Sequence, residues 1–180
     1  IIMSYITDLF IKRRSVRTFT EELLKPEETE LILKAALLSP TSKNRHSWEF
    51  ILVEDKEMLQ KLSACKPESA KMIANAALAV VVIGNPLVSD AWIEDASISS
   101  IAMQLQAEDI GINSCWVQVR NRSYTENITS GEYINGLLNI PMPLEVLCVL
   151  VFGKGQKPRS PHNVDSLLWE KVHIGEFTED

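Results

Sequence analysis

A short basic stretch near the start of this sequence concentrates residue types that can bind an anion. Arg13, Arg14, Ser15 and Arg17 place three guanidinium groups and one hydroxyl within five residues. Guanidinium groups grip phosphate oxygens through paired hydrogen bonds, so this concentration suits a phosphate-bearing ligand. The alternative is an exposed basic end of a helix, because the helix dipole favours cations there. Charge alone leaves both interpretations open.

A second group of cations lies near the other end of the chain. Lys154, Lys157 and Arg159 occur close together with no acidic residue among them. Surface charge explains them as well as a ligand does. The net charge of 18 − 24 = −6 argues against nucleic acid, whose phosphate backbone requires a broad basic face. An acidic protein with two short basic stretches favours a site for one small anionic ligand.

A polar loop offers a third candidate site. Pro40, Thr41, Ser42 and Asn44 supply hydroxyl and amide groups that both donate and accept, as a ligand with carbonyls and ring nitrogens requires. These residue types also build turns, so a structural turn stays the alternative. Neither a GxGxxG pattern nor a GxxxxGK[ST] pattern occurs, which removes support for a dinucleotide fold of that kind or a phosphate loop.

The residues that bind metals are too widely spaced to form a recognisable site. Three cysteines and three histidines are present: Cys65, Cys115, Cys148, His46, His162 and His173. They form no CxxC pair and no HExxH pattern. We therefore expect no metal site, no disulfide framework and no thiol chemistry, and the cysteines are predicted to be reduced and mostly buried.

Length and hydrophobicity predict one domain, residues 1–180. The longest strongly apolar stretch, Ala76 to Gly84, is far shorter than the roughly 20 residues that a membrane-spanning helix needs. Near the start, Asp8 and the basic stretch follow a short apolar patch, the reverse of the order in a secretory signal. We expect a cytoplasmic protein with no membrane partner.

Hydrophobic periodicity predicts helices separated by strands. The predicted helices cover residues 4–13, 26–38, 56–64, 90–110 and 130–138, and the predicted strands cover 48–53, 77–84, 113–119 and 146–152. Asp55 is predicted to cap the third helix, and the strand at 77–84 is predicted to be central and covered on both faces.

The fourth predicted helix is the longest, with one apolar face formed by Ile98, Ile101, Ala102 and Leu105. From Gly153 onward the chain is polar apart from a patch at residues 167–169, too little to pack alone. The order of elements favours an α+β domain with three layers. The tail is predicted to lie across another subunit.

Three motifs in this order resemble those of the nitroreductase family of flavoproteins. Residues 13–19 (RRSVRTF) match an opening signature of two basic residues, Ser, any residue, a basic residue and an aromatic. Residues 40–48 (PTSKNRHSW) and 111–116 (GINSCW) match a second and a third signature. His46 and Ser47 replace the usual Gln and Pro, and Asn113 replaces a common second Gly. The resemblance covers almost the whole chain.

The resemblance implies that FMN is the anionic ligand. Arg13, Arg14 and Ser15 would then hold its phosphate and ribityl chain, and Arg17 would reach the pyrimidine edge. A fixed cation there stabilises the negative charge of a reduced flavin near N1 and O2, which raises the reduction potential.

Further site residues follow from the same resemblance. Pro40, Thr41, Ser42 and Asn44 would approach the flavin from the other subunit, which implies a homodimer with FMN sites at its interface. Gln118 would meet the flavin near N5 through its backbone or side chain. Lys157 and Arg159 would close on the phosphate, with Lys154 as a competitor for that role. No general acid or base is required, since the flavin carries the chemistry.

The family resemblance implies a nitroreductase-like α+β fold, with a mixed central sheet flanked by helices and a C-terminal extension reaching the partner subunit. It implies an NAD(P)H oxidoreductase in which NADPH or NADH reduces FMN and a nitroaromatic, quinone or similar acceptor reoxidises it by a ping-pong course. Two alternatives remain: a divergent enzyme of the same fold, acting in dehalogenation, heterocycle oxidation or flavin breakdown, and a flavin-binding carrier or redox-responsive protein without turnover. Trp48, Trp92 and Trp116 are predicted to pack in the core.

Overall fold

The computed structural model describes residues 4–178. In chain order its main elements are α1 (Tyr5–Lys12), α2 (Pro26–Leu37), β1 (Trp48–Val53), α3 (Lys56–Ser63), β2 (Leu78–Gly84), α4 (Trp92–Asp109), β3 (Asn113–Gln118), α5 (Ser130–Leu138) and β4 (Glu145–Gly153). Short 3-10 helices occur at Ser42–Asn44, Lys71–Asn75, Val164–Ser166 and Trp169–Lys171. All nine main elements occur where the sequence predicts them, with boundaries that agree within about two residues.

The strands form one sheet in the order β1-β2-β4-β3. All three ladders are antiparallel, with Trp48 opposite Gly84, Leu78 opposite Phe152 and Asn113 opposite Gly153. This corrects the expected mixed sheet, because its parallel component among the described residues is a single bridge between Ser15 and Ser114. In the β1–β2 pair, α3 and the 3-10 helix after it return the chain to the end of the sheet that it left, which makes the two strands antiparallel.

Helices cover both faces of the sheet, which confirms the α+β class. The apolar cluster on one face includes Leu59, Leu62, Ile73 and Ile134 from α3, α5 and the 3-10 helix at Lys71–Asn75. The other cluster includes side chains of α2 and α4, such as Ile32 and Met103. Strand β2 is buried along its entire length, as its continuous apolar sequence predicts.

Local sequence signals explain where the helices begin. The carboxylate of Asp55 accepts a hydrogen bond of 2.8 Å from the backbone N–H of Met58, which confirms the predicted cap of α3. Pro26 occupies the first turn of α2, where its missing N–H costs no intrahelical bond. Thr129 and Glu132 form a reciprocal capping box at the start of α5.

The long helix α4 buries a different face from the one that its isoleucines suggest. The side chains packed in the fold include Ala96, Ser99, Ser100 and Met103, whereas Ile98 is 41% exposed. Both serine hydroxyls are satisfied by backbone carbonyls, Ser100 by Ala96 at 2.7 Å and Ser99 by Ala36 of α2 at 3.4 Å. Small side chains with satisfied hydroxyls allow close packing on this face, which leaves Ile98 pointing outward.

No helix within residues 4–178 combines the length and the apolar character that crossing a bilayer requires.

Candidate functional site

The first basic stretch leaves the end of α1 and joins the outer edge of the sheet. The backbone N–H of Arg13 still bonds to Leu9 at 2.8 Å, which closes the helix. Three residues later, the N–H of Val16 donates to the carbonyl of Ser114 at 3.0 Å. Ser15 and Arg17 are therefore held beside β3, with Arg17 exposed to solvent.

The second basic stretch meets the first directly after β4. The N–H of Thr20 donates to the carbonyl of Lys154 at 2.8 Å, and the N–H of Gln156 donates to Thr18 at 3.1 Å. These two bonds frame an antiparallel bridge between Phe19 and Gly155. Two stretches that lie far apart in the sequence are thus brought together, as a shared anion site requires.

We call the resulting surface the basic groove, formed by Arg14, Ser15, Arg17, Lys157 and Arg159. A cavity of about 270 Å³ is lined by Ser15, Arg17, Lys157 and Arg159 together with their neighbours. A second cavity of about 300 Å³ adjoins it at Pro158 and Arg159 and includes Arg14. A larger cavity, of about 570 Å³, shares Arg17 and Thr18 with the first and is also lined by Lys56 and Gln156.

The cations of the groove differ in whether they already contact another group of the protein. Arg14 donates to the backbone carbonyl of Ser160. Among residues 4–178, no carboxylate oxygen lies within 4.0 Å of a charged nitrogen of Arg17, Lys157 or Arg159. Exposed cations without a carboxylate partner can bind an anion without first breaking an ion pair.

Lys154, the competitor for the same role, is engaged elsewhere. Its ammonium group forms an ion pair with Glu22, and the hydrogen bond that it donates to that carboxylate raises the pKa of Lys154. This pairing favours Lys157 over Lys154 as a groove cation.

Arg13 turns towards the end of α4 rather than lining these cavities. Burial raises the pKa of Glu108 in α4, while the nearby positive charges of Arg13 and Lys12 lower it. Arg13 is half-buried, in contrast to the exposed Arg17. The assignment of Arg13 to the phosphate therefore stays a prediction from the family resemblance.

The loop that carries Pro40, Thr41, Ser42 and Asn44 lies at the N-terminal end of α4, and none of these four residues lines the groove cavities of its own chain. Lys43, Asn44 and His46 all have left-handed backbone dihedrals, with φ values of 50°, 56° and 47°. Such dihedrals are strained for residues with a side chain and concentrate at functional sites.

The residue that holds this loop was not recognised from the sequence. Asp95 is only 2% exposed, and its Oδ1 accepts a hydrogen bond of 2.7 Å from the backbone N–H of Ser42. Ser47, which stands where Pro is usual, donates to Oδ2 of Asp95 at 3.5 Å. An acidic residue near the start of a helix is expected simply as a favourable charge for the helix dipole, so no sequence signal distinguished it from Glu94.

Gln118 lies at the end of β3, on the same edge as Ser15. Both polar atoms of its side chain are already hydrogen-bonded. Trp116 Nε1 donates to Oε1 at 2.8 Å, and Nε2 donates to the carbonyl of Arg120 at 2.8 Å. Ser114 turns its carbonyl outward to Val16, and the alternation of an antiparallel strand points the backbone of Gln118 the same way. The backbone N–H, rather than the side chain, is the group that faces the edge.

Asn113, which replaces the common second Gly of the third signature, makes a structural contact. Its Oδ1 accepts a hydrogen bond of 2.9 Å from the backbone N–H of Gly155, so this side chain links the start of β3 to the chain that carries Lys157.

Two of the three tryptophans behave as predicted. Trp48 and Trp92 are 8% and 5% exposed and pack in the core. Trp116 is only half-buried, because its ring lies at the outer strand and bonds to Gln118.

The three cysteines are free and buried, as predicted. Burial raises the pKa of Cys65 to about 11 and also raises the pKa values of Cys115 and Cys148, so all three are neutral thiols at neutral pH. Within residues 4–178, no three His, Cys, Asp or Glu side chains are grouped as metal ligands would be.

Comparison with known proteins gives the same family from sequence and from structure. Residues 11–82 match the nitroreductase family. The chain is 34% identical over 157 residues to an Archaeoglobus fulgidus protein named as an NADH dehydrogenase/NAD(P)H nitroreductase, covering 85% of this chain and 87% of that protein.

Solved structures agree. An FMN-dependent nitroreductase from Clostridium difficile superposes with a TM-score of 0.92 at 42% identity, covering 94% of this chain and 98% of that one. The fold is also shared with the NADPH:FMN oxidoreductase of Vibrio harveyi, at a TM-score of 0.81, 18% identity, and coverage of 98% of this chain and 79% of that chain. This chain belongs to the nitroreductase family.

Proposed function

We propose that the protein is an FMN-dependent oxidoreductase that passes electrons from NAD(P)H to a nitroaromatic, quinone or similar acceptor. The observation that carries this proposal is the basic groove, where Ser15 and Arg17 meet Lys157 and Arg159 from the far end of the chain. The names of the relatives support FMN as cofactor and NAD(P)H as donor, since they are an FMN-dependent nitroreductase and an NAD(P)H nitroreductase.

The groove residues fit the chemistry of FMN. A phosphate monoester carries close to two negative charges at neutral pH, and Lys157 and Arg159 have no carboxylate partner within 4.0 Å among the described residues. The hydroxyl of Ser15 adds a neutral donor beside them. These residues and Arg14 would hold the phosphate and ribityl chain.

The bound flavin supplies hydride and electron transfer, so the protein's part is to position and to stabilise charge. Arg17 would lie towards the pyrimidine edge, where its guanidinium would stabilise the negative charge of the reduced flavin. The outward-facing backbone N–H of Gln118 would donate a hydrogen bond near N5.

We propose a homodimer in which each loop 40–44 completes the groove of the other chain. The loop is strained, anchored by Asp95 and absent from the groove cavities of its own chain. Leu167, Leu168 and Trp169 of the tail are 53%, 64% and 70% exposed, and Ile98 points outward from α4. Exposed apolar residues in these numbers mark a surface that another subunit covers.

A subunit-mixing experiment tests the shared site. Arg17→Ala and Asn44→Ala chains, each expressed alone, should bind FMN weakly. A heterodimer of the two contains one site with Arg17 and Asn44 both intact, so it should regain tight binding at half of its sites. Heterodimers that bind no better than either parent would contradict the shared site.

Absorbance spectroscopy tests the function itself. The purified protein should bind FMN, and NADPH or NADH added without oxygen should bleach the flavin bands, which menadione or a nitroaromatic should restore repeatedly. Bound flavin that neither nucleotide bleaches would overturn the reductase in favour of a carrier or a divergent enzyme. A colourless protein that rejects added FMN would overturn the flavin site.

Two charge-removing variants test the groove: one removes cations inside it, and its matched control removes a cation outside it. Lys157→Gln with Arg159→Gln should abolish tight FMN binding, whereas Lys34→Gln, on the surface of α2 and paired with Glu30, should leave it unchanged.

We also propose a cytoplasmic location, which the three free cysteines support because reduced thiols are typical of that compartment.

A further inference from the structure

Asn113 makes a contact that joins the sheet to the second basic stretch. It is the first residue of β3, opposite Gly153 of β4. Its side-chain Oδ1 accepts a hydrogen bond of 2.9 Å from the backbone N–H of Gly155, two residues beyond the end of β4. The side chain therefore reaches past the regular ladder to the chain that continues into the groove.

The backbone of Gly155 needs this partner. The bonds from Thr20 to Lys154 and from Gln156 to Thr18 flank Gly155 and leave it in a pair that exchanges no hydrogen bonds with Phe19. Its N–H therefore points away from that strand, and Asn113 supplies the acceptor. A buried or half-buried backbone donor without an acceptor is costly, so the contact fixes where Gly155 lies.

The packing around Gly155 leaves little freedom of position. A Cβ at this residue would lie 2.7 Å from Asn113 Oδ1 and 3.1 Å from Cγ1 of Val16. The chain is thus wedged between β3 and the first basic stretch, with no space for a methyl group on either side.

Beyond Gly155 the chain is held less closely until it crosses α1. Lys157 and Arg159 are exposed and follow Gly155 by two and four residues. After the bond from Gln156 to Thr18, the next backbone bond to the body of the protein is from His162 to Ile11, at 2.8 Å, and between them the side chain of Arg14 donates to the carbonyl of Ser160. Gln156 helps with a side-chain bond to Phe19 at 2.9 Å, so Asn113 and Gln156 together set the start of the segment 156–161.

We propose that Asn113 is a positioning residue that sets the two late cations over the flavin phosphate and thereby makes the site prefer FMN to riboflavin. The inference rests on the proposed function, because it takes the groove to be the FMN site. Asn113 acts through Gly155, without touching the flavin itself.

The preference follows from where the cations act. Riboflavin shares the isoalloxazine ring and the ribityl chain with FMN and lacks only the phosphate. Attraction between a cation and a phosphate falls with distance and with solvent screening, so a segment that drifts outward loses most of its effect on FMN. Arg17 and Gln118, the residues proposed to meet the ring, share no side-chain hydrogen bond with Asn113 among the described residues, so riboflavin binding should be insensitive to the change.

The test compares the two flavins on the full-length protein stripped of flavin, by quenching of flavin fluorescence. Asn113→Gly removes the acceptor and should raise the Kd for FMN about tenfold, the scale of one lost buried hydrogen bond, while the Kd for riboflavin changes less than about twofold. Asn113→Ala should do the same without adding backbone flexibility, which protects the test against a variant that folds poorly. Asn139→Gly removes an amide from the left-handed end of α5 and should leave both constants unchanged.

The possible results of these titrations distinguish the positioning role of Asn113 from the proposed function. Wild-type protein that prefers FMN strongly, with Asn113 variants that keep the same preference, would overturn the positioning role and leave the proposed function intact. Equal weakening of both flavins would also overturn it, since that pattern reports a general structural defect. Wild-type protein that binds neither flavin would overturn the proposed function, and this inference with it.

Discussion

Asp95, buried near the start of α4, accepts a 2.7 Å hydrogen bond from the backbone N–H of Ser42 across 53 residues of sequence. That one contact ties a strained loop to the longest helix of the fold. Lys43, Asn44 and His46 each adopt a left-handed backbone, which costs about 1 kcal/mol or more for Lys43 and His46 and less for asparagine. Strain of this kind persists only where the surrounding structure holds it.

Asp95→Ala should therefore loosen the loop more than the rest of the fold. The N–H of Ser42 would lose its acceptor, at a cost of about 1–3 kcal/mol, and FMN binding should weaken if the loop completes the partner's site as proposed. Thermal unfolding and FMN titration measure the two effects. Glu94→Ala, which removes an exposed carboxylate from the same helical turn, accounts for the loss of charge at the helix dipole and should lower FMN affinity little. Equal losses in both variants would contradict a specific role for Asp95.

The sequence predicted the elements better than it predicted the contacts between them. Helix α3 and strand β2 followed directly from a capping residue and a continuous apolar run, since both signals are local. The buried face of α4 did not, because satisfied serines replaced the isoleucines in the packed interface. The meeting of Thr18 with Gln156 depends on long-range pairing that no periodicity encodes, and only the family resemblance placed those two stretches at one site.

Gly84→Ala should strongly destabilise the fold, because a Cβ there would lie 2.1 Å from Cε3 of the buried Trp92 ring. Neither the central strand nor the indole can move freely, so we expect a loss of about 3 kcal/mol in the free energy of unfolding. Gly136→Ala is the matched control, since this glycine lies in α5 and the added methyl group would meet open space. That change should stabilise by about 0.5–1 kcal/mol, the usual helix preference for alanine over glycine. Urea unfolding measures both, and a stable Gly84→Ala protein would show that Trp92 can move aside.

The free energy of unfolding should fall at alkaline pH because the buried thiols ionise more readily in the unfolded chain. Burial raises the pKa of Cys65 from 9.0 to about 11, so between these values the unfolded chain releases a proton that the folded protein keeps. The free energy of unfolding should therefore decline as pH rises through this window, by about 1 kcal/mol from this thiol at pH 10. Burial also lowers the pKa of Lys66, which opposes part of the decline. Urea titrations at pH 8 and pH 10 should show a smaller decline for Cys65→Ala than for the wild type, and parallel declines would rule out this thiol as a contributor.

Arg17→Ala should lower the reduction potential of the bound flavin, because it removes the cation proposed to stabilise negative charge at N1 and O2. The residue is exposed, so solvent screens it and a shift of about 30 mV, equivalent to about 1.4 kcal/mol for two electrons, is a reasonable scale. Equilibrium dye titration of flavin-loaded protein measures it. Arg17→Lys keeps the charge and should leave the potential close to that of the wild type, whereas an unchanged potential in Arg17→Ala would refute the charge role.

Lys157 and Lys154 allow a direct test of which late lysine serves the phosphate. They are three residues apart and carry the same charge, but Lys154 is paired with Glu22, whereas no carboxylate of the described residues lies within 4.0 Å of the Lys157 ammonium. Lys157→Gln should weaken FMN binding about tenfold and make it less sensitive to salt, since one charge-assisted contact is lost. Lys154→Gln removes a solvent-screened ion pair that contributes little to stability and should leave FMN affinity within about twofold. FMN titrations at low and high salt distinguish the two lysines, and the reverse order of effects would mean that Glu22 releases Lys154 to the phosphate when FMN binds.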